Sequence, residues 1–248
     1  GKLRAMNDSM RLCPDGFVER GGDVTRIEAF VDAAFAFALT MLVISVGAIP
    51  DSPPKLIAAL KDVPAFAASF AQISAFWYAH MTWSRRYGLD DRRSIVLSLL
   101  LVFLVMVFVY PLKALATTFF GWISGGWLPY EFGVHTAADL RTMFLVYGLM
   151  FGSMSIVVSL LYAQAWKQRD ALGLSGDERI KTRERVLVGF ASALVAGLSI
   201  IAAFCLPERA ANWVYGIPGM VYMLMAFTGK AATAIAEHSR DRLLAKTP

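Results

Sequence analysis

Residues that carry covalent or metal chemistry are scarce in this chain. It has two cysteines, Cys13 and Cys205, in very different contexts, and three histidines, His80, His135 and His238, in separate segments. That spacing offers neither a disulfide framework nor a zinc site. No H-E-x-x-H, G-x-S-x-G or Walker-type loop is present, so nothing marks a metalloprotease, a hydrolase or a nucleotide-binding enzyme. The chain reads as a non-enzyme with no cofactor and no metal. Residues 1–25 contain no apolar h-region, and no cleavable signal peptide is expected there. Charge is thin as well. Charged residues make up 17% of the chain, below the roughly 25% usual in soluble domains.

What is abundant is apolar surface. Hydrophobic residues reach 57% and the mean hydropathy is +0.53. Apolar runs near the length needed to cross a bilayer recur along the sequence, so the expected class is an all-α, polytopic integral membrane protein lying in the lipid bilayer. The net charge of +5 is not a nucleic-acid footprint, because Lys and Arg concentrate in alternate connections, as they do in membrane proteins. No nucleic-acid partner is expected.

Six transmembrane helices are expected, at about 27–49, 63–84, 94–112, 139–166, 184–206 and 212–228. They lie between a loose N-terminal arm, residues 1–25, and a polar tail, 229–248. Asp62-Val63-Pro64 reads as a helix start, while Thr136 to Asp139 and Ser175 to Glu178 read as capping boxes. The stretch 112–135, with Lys113, Trp122 and Trp127, reads as interfacial rather than spanning. The arm, the 85–93 turn, the 167–185 connection and the tail hold most of the basic residues. That asymmetry places both termini in the cytoplasm of a cell membrane. Gly148 and Gly152, with Gly189, Ala193 and Gly197, recur at four-residue spacing and predict close helix packing.

The first span is the most informative. Arg26 to Pro50 is apolar from Ala33 onward except for Thr40, Ser45 and Gly47, and Pro50 ends it by lacking an N–H. Asp32 stands about two turns in, where a carboxylate must be hydrated, paired or neutralised. Phe37, Met41 and Ile44 fall at i, i+4 and i+7 on one stripe, with Thr40 close beside it. In so apolar a helix, that stripe alone fits lipid or neighbour packing as well as any function. Helix one running outward and helix two inward would bring Trp77 and His80 level with its start. His80 then meets Arg26 or Asp32, in a buried cluster where Asp32 accepts hydrogen bonds and Arg26 offsets its charge.

The residues Arg26, Phe30, Val31, Asp32, Phe35, Ala36 and Thr40-Met41-Leu42-Val43 resemble the first-helix signature of the transmembrane protein 175 family, R-x-x-x-F-S-D followed by F-A and T-L-L. Val31 stands where the family usually has serine, and Met41 where it usually has leucine. Ser69-Phe70 and Phe76-Trp77-x-x-His80 resemble its second-helix pattern. The resemblance implies a potassium-preferring cation channel, a homotetramer with helix one around a central pore and K+ as the permeant ion. By position it implies constriction rings at Phe37, Met41 and Ile44, a role for Thr40 in selectivity, and a network of Arg26, Asp32, Trp77 and His80 between the first two helices. There is no T-V-G-Y-G filter and no helix with arginine at every third position, so side chains must form any constriction, and an apolar ring gates by excluding water. Asp23 and Glu28 at one mouth and Asp51 at the other qualify as acidic attractors by position only. A proton-coupled transporter using Asp32 and His80, and a non-conducting membrane scaffold, stay open as alternatives.

Overall fold

The computed structural model describes residues 12–13, 15–44, 50–129, 133–134, 136–208 and 213–229. The expected end of the first span at residue 49, the start of the arm and the tail beyond Gly229 lie outside the described residues, as do His135, Arg209 and His238. Among the described residues the fold is all-helical, with no strand beyond a lone bridge between Leu12 and Val18. The order is α1 (Arg26–Ile44), α2 (Pro53–Lys61), α3 (Val63–Tyr87), α4 (Arg92–Ile123), α5 (Ala137–Lys167), α6 (Gly176–Phe204) and α7 (Ile217–Val221). Two 3₁₀ turns, Val214–Gly216 and Tyr222–Leu224, flank α7 and continue it into one apolar helical stretch, Val214–Gly229.

Each helix begins where the sequence provides a cap or a proline. Thr136 and Asp139, and Ser175 and Glu178, form reciprocal capping boxes at α5 and α6. Asp91 caps α4 and accepts from the Arg93 N–H. Its carboxylate also accepts from the Ser94 hydroxyl at 2.6 Å and the Gln164 amide at 3.0 Å, tying α4 to α5. Burial alone would raise its pKa, but these hydrogen bonds outweigh it and hold the carboxyl below its ordinary value. At the end of α3, Gly88 takes the left-handed conformation (φ 56°) and its N–H closes on the Ser84 carbonyl. A side chain there would be strained, and its Cβ would lie 2.7 Å from the Arg20 carbonyl oxygen.

Three expectations are corrected. The residues after Pro50 are not a plain loop. Ser52 with Pro53 and Pro54 starts the short helix α2, which meets α3 at a 42° bend over Asp62. Nor does α4 stop near residue 112, where the third span is expected to end. It runs through Pro111 to Ile123, because a proline deletes one ladder hydrogen bond and its packed neighbours Val109, Leu112 and Ala116 hold the helix on either side. Lys113 is therefore not an interfacial lysine. It is buried and ion-paired with Asp62 at 3.2 Å, pinning the α2–α3 bend.

The third correction concerns the arm. From residue 15 onward it is docked, not loose. Phe17 is fully buried against Tyr87, with the Arg86 guanidinium 4.3 Å over its ring. Arg20 forms a two-pronged ion pair with Glu178 at 2.9 and 3.0 Å. The Arg20 and Gly21 N–H groups donate to the Arg85 carbonyl, satisfying an acceptor at the end of α3. Glu178 also accepts from the Val18 and Ser175 N–H groups. Burial works to raise its pKa, yet these donors and the Arg20 charge hold it at about 2. The first turns of α6, which carry this clasp, precede its apolar stretch.

The main apolar core joins α1, α3, α4 and α5 through Phe35, Leu42, Ile73, Phe108, Phe151 and Met154. The α5–α6 pair is the tightest. A Cβ on Gly148 would fall 2.7 Å from Ile200, and one on Gly189 would fall 2.6 Å from Ser159. Ser159 uses that closeness to donate to the Val186 carbonyl at 2.7 Å. Gly197, by contrast, faces open space.

Candidate functional site

The candidate site is built on α1. Thr25 and Glu28 start this helix reciprocally: the Glu28 N–H donates to the Thr25 hydroxyl at 3.2 Å, and the Thr25 N–H to the Glu28 carboxylate at 3.4 Å. This T-x-x-E box is legible in the sequence, but its glutamate read as a mouth charge. Glu28 is in fact buried as a cap.

Beyond the cap the helix divides into two faces. Val31, Phe35, Ala38 and Leu42, spaced at i, i+4, i+7 and i+11, are all at most 1% exposed and pack against α3 and α4. Ala29, Ala33, Ala36, Phe37, Thr40, Val43 and Ile44 on the other side are exposed. Phe37 is 54% and Ile44 62% exposed. Met41 lies at the border, half-buried and touching the core. Among the described residues, one side of this apolar helix is thus left exposed, and the stripe Phe37, Met41, Ile44 runs along its margin.

Thr40 projects from the middle of this bare face. Its hydroxyl donates to the Ala36 carbonyl at 2.9 Å, the usual habit of threonine in membrane helices. A hydroxyl that gives its proton to the backbone keeps its oxygen lone pairs for an acceptor role. The back-bond and a cation-facing oxygen are therefore compatible.

The expected four-residue network divides into two separate bonds. Trp77 donates its indole N–H to the half-buried Asp32 at 2.8 Å, joining α3 to α1. His80, 2% exposed, places Nε2 2.9 Å from the Ser98 hydroxyl, joining α3 to α4 instead. Arg26 is exposed and makes no ion pair with Asp32. Val31, in the place of the family serine, faces the packed core, where its side chain is fully buried. Trp77 and His80 stand three residues apart, so one face of α3 holds both neighbours. Ser98 escaped sequence reasoning, since a lone serine in an apolar helix carries no periodic signal.

Among the described residues no group of His, Cys, Asp or Glu is arranged to hold a metal ion. Among the described residues, four helices are long and apolar enough to cross a membrane, and a fifth crossing arises if the bent pair α2–α3 counts as one. This is a multi-pass helical membrane protein.

Comparison with known proteins identifies the kind. Residues 26–111 match the family model described as the endosomal/lysosomal potassium channel TMEM175. A "Potassium channel" of Marivirga tractuosa is 37% identical over 191 residues, covering 75% of this chain and 76% of that protein. A crystal structure of the potassium channel MtTMEM175, a threonine-to-alanine variant bound to a nanobody–MBP fusion protein, is similar with a TM-score of 0.77. It is 32% identical and covers 92% of this chain and 99% of that one. A homolog, from Chamaesiphon minutus, of the lysosomal potassium-selective channel TMEM175 shares the fold. Its TM-score is 0.53 at 22% identity, covering 84% of this chain and 96% of that one. The chain belongs to the TMEM175 family, whose members here are ion channels and not enzymes.

Proposed function

We propose that the protein is a potassium-preferring cation channel in which four copies surround a pore lined by α1. The bare face of α1 carries this reading: among the described residues, Phe37, Thr40 and Ile44 are exposed and no other element covers them. Lipid would tolerate the apolar residues, but four such faces turned toward one axis also account for Thr40 and for Arg26 at the entrance. Phe37, Met41 and Ile44 then form stacked apolar rings that close by excluding water, and conduction follows when they widen. Thr40 supplies a ring of oxygen acceptors between them. K+ is the permeant ion, and no cofactor takes part.

The proposed topology has six crossings, with α2–α3 as one bent span and Val214–Gly229 as the last. Both termini are cytoplasmic in a cell membrane, since the Arg- and Lys-rich connections all lie at the α1-entry side. Asp32 and His80 are held by different partners, Trp77 and Ser98. That favours structural bonds between helices over a shared proton path.

The test is ion efflux from liposomes loaded with K+ or Na+, with and without a proton gradient. Uncoupled, K+-favouring efflux that rises in Phe37→Ala is the expected result. Phe37 is exposed in the protomer, so the substitution leaves folding within about 0.5 kcal/mol. Flux unaltered in Phe37→Ala, Met41→Ala and Ile44→Ala, or flux only with a proton gradient, refutes the proposal.

A further inference from the structure

A second concave site lies away from α1. The far half of α4, the first turns of α5 and the stretch 215–223 enclose a cavity of about 1450 Å³, larger than the roughly 300–1,000 Å³ of ordinary small-molecule sites. Phe119 and Trp122 of α4, Phe144 and Tyr147 of α5, and Met220 and Met223 form its apolar walls. No residue of α1, α2 or α3 lines it.

The cavity is amphipathic along its length. Thr136, Arg141, Glu208 and Tyr215 line its loop end, and Thr118, Tyr147 and Tyr222 carry hydroxyls along its walls. Arg141 donates to the Leu206 carbonyl, and the Tyr215 hydroxyl to the Glu208 carbonyl, just past the end of α6. Thr136 at the start of α5 joins them. One to two turns further along α5 the walls turn aromatic, ending on Tyr147 in the apolar core. The rim residues Phe119, Trp122 and Met223 are exposed, so the site opens sideways into the layer that surrounds the helices. Water filling so apolar a space would forfeit most of its hydrogen bonds.

We infer that this cavity binds the acyl chain of a membrane phospholipid, with its phosphate-bearing end at Arg141 and its hydrocarbon running toward Tyr147. Shape and polarity match such an amphiphile: the Arg141 cation with hydroxyls at the aqueous end, beside the Glu208 carboxylate that a zwitterionic headgroup's amine would offset, and methionine and aromatic walls below. Its outward direction rests on the reading of α1 as the pore helix, because a copy packed through α1 leaves this side to lipid. A second copy of the chain is the competing occupant.

The probe is a phospholipid with a photoreactive diazirine on its acyl chain, carried in trace in liposomes of phosphatidylethanolamine and phosphatidylglycerol that contain the full-length protein. Labelled peptides are mapped by mass spectrometry. Expected is label concentrated in 115–123, 137–147 and 215–223, above that at Leu194, Leu198 and Ile201, which are exposed on α6. Gly219→Leu adds bulk where a Cβ meets only Phe144 at 3.8 Å, and should remove label from those three segments while the α6 label persists. Ala138→Phe, at an exposed lining position, does the same if the first variant misfolds. Label no higher than on α6, or unchanged in both filled variants, overturns the inference, as does efficient cross-linking of Ala138→Cys between copies. The readout is independent of conduction, so a failed flux assay leaves it standing.

Discussion

Replacing Glu178 with glutamine tests the clasp that fastens the N-terminal arm to α6. The wild-type carboxylate is 5% exposed and receives both prongs of Arg20 and two backbone N–H groups. Its folded pKa is about 2, against an ordinary 4.5. At about 1.4 kcal/mol per pH unit that difference is roughly 3 kcal/mol at neutral pH. Solvent reaches Arg20, 15% exposed, which brings the working figure nearer 2 kcal/mol. Glu178→Gln keeps one acceptor oxygen but loses the charge, so Arg20 is left with a neutral partner. The expected result is a midpoint lowered by roughly 4–8 °C at pH 7, by the scaling for chains of this size.

The pH dependence has a definite sign. A carboxyl with a lowered folded pKa stabilises above its unfolded pKa, and that contribution fades as pH falls from about 4.5 toward 2. Wild type and variant should therefore differ fully at pH 7, converge below about pH 4.5, and coincide near pH 2. Intrinsic-fluorescence melts of the detergent-solubilised protein measure this. Equal midpoints at pH 7, or a gap that widens in acid, refute the reasoning.

Three further outcomes follow from named contacts. Trp77→Phe removes the one indole donor to Asp32 and should lower stability by about 1–2 kcal/mol, seen in the same melts; an unchanged midpoint sinks the claim that this bond joins α1 to α3. Gly189→Val pushes a side chain into Ser159 across the α5–α6 contact and should cost about 1–3 kcal/mol, while Gly197→Ala, in open space, should be silent; equal effects contradict the packing. Thr40→Val keeps shape and removes the hydroxyl, so reversal potentials under K+ and Na+ should show the preference for K+ falling toward unity with stability unaltered. A retained preference removes Thr40 from selectivity.

Much of the site was legible because its signals are local or periodic. The motif residues Arg26, Phe30 and Asp32 lie within two turns, and the stripe Phe37, Met41, Ile44 is singled out by resemblance to the family's first helix, because in so apolar a helix the spacing alone fits packing equally well. Trp77 and Asp32 are both members of the expected network, but their bond to one another is not foreseen, since Asp32 is expected to meet Arg26 and His80. Other features carry no such signal. His80 bonds Ser98 rather than α1 because the rotation of α3 about its axis is set by packing, which one strand of sequence does not encode. Lys113 read as interfacial because its partner, Asp62, is remote in sequence and sits in a bend that only tertiary contact defines.

By itself the sequence determined the class and the local devices. Long apolar runs demand a helical membrane protein, since lipid offers backbone groups no partner but their own helix. The capping boxes at Thr136 and Ser175 and the glycines Gly148 and Gly189 acted as their chemistry requires. Only the tertiary structure decided that α4 continues past Pro111, that the arm locks onto Glu178, and which side of α1 is bare. These depend on contacts between distant segments. In a helix apolar all round, hydrophobicity cannot distinguish the buried face from the exposed one; the shape of the neighbours does.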